Sequence, residues 1–180
     1  ASCEQLEPLS LSEGSYLIHL KSRQEIAILR ESNLIVHEVL TKLKSMCQPG
    51  ITTLELDRVA EDMTLKYRGR PAFKGYHGFP ATLCTSINEE VVHGIPSKRV
   101  LREGDILSID YGICYRDYYG DAAVTVPIGK ISEDLEFLLK TTQECLILGI
   151  QQAVPGNHLA DISAAIQTHA EIQGFSLVKE

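Results

Sequence analysis

The sequence has no C-x-x-C pair, and its five cysteines, Cys3, Cys47, Cys84, Cys114 and Cys145, are odd in number and widely scattered. Neither a disulfide framework nor a zinc knuckle is signalled, and a reducing, cytoplasmic setting is expected. No tract of eighteen apolar residues occurs, so no membrane span is expected. Basic residues are scarce: 17 Lys and Arg against 24 Asp and Glu give a formal charge of -7. That balance opposes partners bound by neutralising phosphates, and nucleic acid is not expected. Residues 1–20 carry Glu4, Glu7 and Glu13 and lack a basic start and an apolar core. They resemble neither a secretory signal nor a transit peptide. They are expected to form a loose N-terminal arm, whose composition leaves contact with a ribosome open. What is present, 44% hydrophobic residues in 180, suffices for the core of one ordinary domain.

Local grammar divides the chain. Ser22 and Glu25 form a capping box ahead of an apolar stripe through Ile26, Leu29, Val36, Leu40 and Leu43, which predicts an amphipathic helix over 22–47, ended by Pro49-Gly50. Thr52 and Glu55 open a second helix carrying Leu54, Leu56, Val59, Met63 and Leu65, stopped near Gly69 and Pro71. Short β-rich runs follow to about residue 130. Helical spacing returns over 133–154, closes at Pro155-Gly156, and resumes through Leu159, Ile162, Ala165 and Ile166. The two Pro-Gly pairs lie 106 residues apart, and Gly69 and Gly174 follow each second helix, so an internal repeat is expected. The first unit runs about 21–130 and the second about 131–180. Phe175 to Val178 reads as the start of a strand with an open edge, as though the second unit stopped early.

The sharpest chemical signal is the run from Asp105 to Ile113. Period two places Leu107, Ile109, Tyr111 and Ile113 on one face and Ser108 and Asp110 on the other. A second β run begins at Asp121, past the polar connector Tyr115 to Gly120, which predicts a hairpin. If the turn centres near Tyr115 and Arg116, Asp110 and Asp121 face each other directly, an arrangement that is destabilising without compensation. A divalent cation, a shared proton or an arginine clamp would supply it. Otherwise Asp121 caps the turn and Asp110 sits at a solvated rim. Hard carboxylate oxygens on adjacent strands suit Mg, Mn, Fe or Co.

Upstream, Ser86 to Pro96 reads as a turn at Asn88 leading back to His93 at a strand end. There an imidazole either meets a substrate or metal, or bonds a loop carbonyl. Gly75 to Pro80 gathers Tyr76, His77 and Phe79, suited to a pocket wall or to a loop sealing the core.

The runs Tyr76 to Pro80, Cys84 to Asn88, Val92 to Pro96, Gly104 to Asp110 and Gly120-Asp121 together resemble type I methionine aminopeptidase, over about residues 20–180. The resemblance implies an α/β pita-bread fold with two pseudo-symmetric halves, the second incomplete in this chain, and a catalytic domain over 21–180. It implies removal of the initiator methionine from N-terminal peptides of nascent proteins when the second residue is small. It implies two divalent metal ions, among Co, Mn, Fe, Zn or Ni. Asp110 would bind one ion and Asp121 both, His93 would hydrogen-bond substrate, and Tyr76, Phe79 and Cys84 would line the methionine pocket.

The family's further histidine and two glutamate ligands have no counterpart before Lys179-Glu180, and neither His158 nor His169 is promoted in their place. A non-catalytic peptide-binding module of the same fold, or an inactive truncated fragment, stands as the alternative.

Overall fold

The computed structural model describes residues 18–178; the expected arm at 1–20 lies almost wholly outside the described residues. Helix α1 spans Arg23–Met46 and α2 Thr53–Lys66, each opened by the expected capping box, Ser22 with Glu25 and Thr52 with Glu55. Strands β1 (Arg70–Pro71), β2 (Leu83–Ile87), β3 (Ile106–Tyr115) and β4 (Tyr118–Pro127) follow, and then α3 (Glu133–Gln152) and α4 (Leu159–Ile172). The sheet is antiparallel about β3, which pairs with β4 along its length; β2 and β1 pair with it at Leu107 to Tyr111 and at Ile113 to Cys114.

The period-two face of β3 is the core. Leu107, Ile109, Tyr111 and Ile113 are all fully buried against Val36, Val39 and Leu43 of α1 and Leu56 and Ala60 of α2. Burying each large aliphatic side chain there stabilises the fold by roughly 1.5–3 kcal/mol. Tyr111 keeps its hydroxyl satisfied at 2.7 Å from Thr64 Oγ1. Val36, Leu40, Leu43 and Leu56 of the expected stripes are buried, but Ile26 and Leu65 are 54% and 59% exposed, and Ser32, Asp57 and Thr64 are buried besides. Ser32 is inside because α1 crosses the hairpin at Gly120, where a Cβ would lie 2.7 Å from Ser32 backbone atoms. Only small groups fit that approach.

The repeat is carried residue by residue at one offset. Helices end at Met46 and Gln152, Gly50 and Gly156 both adopt left-handed backbone, and the N–H of Thr52 and of His158 is capped by Glu55 and Asp161. The matching C-terminal residues are Arg68 and Gly174, at φ 59° and 86°, rather than the expected Gly69 and Gly174. Gly69 is needed for space, since a Cβ there would meet Ile113 at 2.5 Å. The expected strand at Phe175 to Val178 is not formed: no described strand lies beside it to take its backbone groups, and Phe175 instead rests its ring 5.4 Å from Phe137.

Candidate functional site

The site forms on the face of β3 opposite the core. The hairpin closes through Arg116 and Asp117, both at positive φ, so Tyr115 pairs with Tyr118. Two central residues at positive φ match the twist of the flanking strands. This moves the hairpin centre from the expected position and corrects the pairing: Asp110 opposes Ala123, and Asp121 opposes Gly112. The carboxylates share a face as diagonal neighbours rather than as a directly opposed pair. Cys84 of β2 faces Asp110 from the other edge of β3.

Asp110 is half-buried, and its Oδ1 is buried without any protein hydrogen-bond partner. Burial, reinforced by the Asp121 carboxylate, pushes its pKa up to about 6; His93 and the Tyr111 N–H oppose the rise. Burial and the same two aspartates push the Cys84 thiol up to about 11. Cys84 is therefore a neutral, polarisable group at neutral pH, not a nucleophile.

An orphaned carboxylate oxygen beside a second carboxylate is what a hard divalent cation satisfies, so Asp110 and Asp121 fit a metal chemically. Among the described residues, no cluster of three His, Cys, Asp or Glu is positioned to hold one. His169 is engaged elsewhere, 2.9 Å from Glu144 across the α3–α4 pair.

His93 is brought near Asp110, although not from a strand end: residues 90–97 are irregular, and the imidazole rides on a loop after the Asn88 turn. Tyr76 and Phe79 lie in a tight turn closed by Phe79 N–H to Tyr76 O at 2.9 Å. Tyr76 is 70% exposed, its ring edge-on to His77, and Phe79 is half-buried. Two surface depressions lie elsewhere, one of about 430 Å³ beside Arg99 and Arg102 and one along α3 and α4. Neither is lined by His93, Asp110 or Asp121.

Sequence reasoning missed Asp57, whose Oδ1 accepts from the N–H groups of Thr82 and Leu83 at 2.9 and 2.8 Å and so anchors the start of β2. Burial raises its pKa against those two bonds. The signal was available in Thr53, Asp57, Ala60 and Thr64, which fall at helical spacing.

Residues 27–180 match metallopeptidase family M24. The chain belongs to that family. It is 51% identical over 165 residues to a methionine aminopeptidase of Clostridium acetobutylicum and 48% identical over 164 residues to methionine aminopeptidase 1 of Bacillus subtilis, in each case over 91% of this chain and 66% of the relative. The crystal structure of methionine aminopeptidase from Rickettsia prowazekii superposes with a TM-score of 0.89 at 30% identity, covering 91% of this chain and 66% of that one. This M24 chain thus has the α/β pita-bread fold and spans about 66% of the length of these relatives. Membership of M24 implies a divalent metal cofactor. No helix among the described residues is long and apolar enough to cross a membrane.

Proposed function

We propose that this chain is the Asp110- and Asp121-bearing portion of a methionine aminopeptidase, a metal-dependent hydrolase that removes the initiator methionine from N-terminal peptides of nascent proteins. The observation that carries the reading is the unpartnered Asp110 Oδ1 on the same sheet face as Asp121. A buried charge without a partner is destabilising, and a chain that only bound peptides would have no use for it. The high identity to methionine aminopeptidases supports the choice of reaction.

In this reading Asp110 would help to hold one metal ion and Asp121 would contribute to holding both. When bound there, such ions would supply Lewis-acid chemistry to a peptide carbonyl. His93 donates a hydrogen bond to the substrate backbone from its loop. Tyr76 and Phe79 present aromatic surface to the methionine side chain, and the neutral Cys84 thiol offers its thioether a polarisable neighbour. The metal identity is set by availability among Co, Mn, Fe, Zn and Ni, because carboxylates accept all of them. The acidic balance of the chain argues against nucleic acid as a partner.

The test compares Met-Ala-Ser, Leu-Ala-Ser and Met-Lys-Ser peptides with the metal-loaded enzyme. Cleavage of the first alone is expected; equal cleavage of all three would sink the specificity.

A further inference from the structure

The backbone around His93 is gripped by a single buried hydroxyl. Ser86 of β2 is 2% exposed and pairs with Ser108, so it lies on the sheet face that carries Cys84 and Asp110. Its Oγ donates to Val92 O at 3.0 Å and accepts from Gly94 N–H at 3.1 Å. Those two groups belong to the peptide units on either side of His93. Thr85 N–H adds a bond to Gly94 O at 2.7 Å. The approach is so close that a Cβ on Gly94 would stand 2.1 Å from Thr85 O, which is why glycine follows the histidine.

The grip holds a conformation the chain would not choose alone. Val92 adopts φ 52°, and His93 N–H bonds back to Val91 O at 2.9 Å, making a three-residue turn around a β-branched residue in the left-handed region. Such a conformation persists only where its surroundings enforce it, and enforced strain of this kind concentrates at functional sites. The beginning of the loop is secured separately, by Ile87 N–H to Glu90 Oε2 at 2.8 Å and by the Arg99–Glu90 ion pair at 2.6 Å. Removing the Ser86 hydroxyl therefore loosens the peptide groups flanking His93 while Glu90 and the Thr85–Gly94 bond still hold the two ends of the loop.

We propose that Ser86, through the two hydrogen bonds its hydroxyl makes to the peptide groups flanking His93, is the positioning residue that fixes the imidazole on the carboxylate face of the sheet. The proposal rests on His93 being the substrate-contacting group, as argued above. Ser86 itself touches no substrate.

The test is a double-mutant cycle of Ser86→Ala and His93→Ala in the intact, metal-loaded enzyme, read as kcat and KM on Met-Ala-Ser, with amide hydrogen exchange beside it. Ser86→Ala is expected to lower kcat roughly 10- to 100-fold, since small misplacements of a substrate-contacting group have effects of that order. In the His93→Ala background the same change should alter kcat by no more than about 2-fold, because the two act as one unit. Exchange at Gly94 N–H should quicken about tenfold while Ile109 and Tyr111 stay protected. Equal losses in both backgrounds, or an unchanged Gly94 amide, would show that Ser86 does not work through His93. If His93→Ala retains full turnover, the substrate role of His93 fails and the proposal with it. If His93→Ala is impaired and Ser86→Ala is not, the proposal alone fails. Should Ser86→Ala not fold, Ser86→Cys keeps the shape with a weaker donor and is read by the same criteria.

Discussion

Asp121 stands one diagonal step from Asp110 across the β3–β4 ladder, opposite Gly112. The glycine leaves that place on the shared face without a side chain, and Phe73 closes over it so tightly that a Cβ would lie 2.8 Å from the ring. Burial, with the Asp121 carboxylate beside it, therefore pushes the Asp110 pKa up to about 6, an arrangement that a bound cation would relieve.

Asp110→Asn and Asp121→Asn should each lower peptide turnover by orders of magnitude and remove its dependence on divalent metal, with Asp121 the more damaging because in the proposed reading it would serve both ions. Like-charge repulsion is relieved in the metal-free protein, so its melting temperature should hold or rise. Calorimetric metal titration and thermal melts check this; normal metal stoichiometry in either variant would refute the ligand role.

Metal-free protein should lose stability as pH rises from about 4 to about 6. The Asp110 pKa is raised in the fold, so the native state holds more protons than the unfolded chain in that window, and stability falls with pH. A shift of this size amounts to about 3 kcal/mol in a dry site. Solvent reaching the half-buried group reduces it to on the order of 1 kcal/mol. Urea unfolding at pH 4 and pH 7 measures the difference, and Asp110→Asn should flatten it.

Asp57→Ala should destabilise the chain by about 2–3 kcal/mol, leaving two buried N–H groups at the start of β2 without an acceptor. Asp57→Asn should cost less than about 1 kcal/mol, because one amide oxygen can accept both bonds and the buried charge is gone. Equilibrium denaturation separates the two; equal losses would contradict the acceptor role.

Gly120→Ala should force α1 away from the hairpin, since its Cβ would meet Ser32 backbone, at a cost of about 1–3 kcal/mol. The adjacent Asp121 should shift with it, weakening metal binding as well as lowering the melting temperature. A variant with wild-type values of both would show that the contact relaxes freely.

Much of this protein was legible because its cues are local. Capping boxes at Ser22 and Thr52, the left-handed glycines after Pro49 and Pro155, and the alternation from Leu107 to Ile113 each act over a few residues, so sequence alone located the helices, the repeat and the buried face of β3. The linked motifs likewise brought out the family and the site candidates Tyr76, Phe79, Cys84, His93, Asp110 and Asp121. What required tertiary structure was long-range. The hairpin register hung on whether Arg116 and Asp117 accept positive φ, and moving the turn centre by one residue changes every cross-strand partner by two. The burial of Ser32 and Ser86 reflects backbones meeting across gaps that only small or hydrogen-bonding groups can fill. Such meetings depend on how distant segments pack, and no periodicity within one segment encodes them.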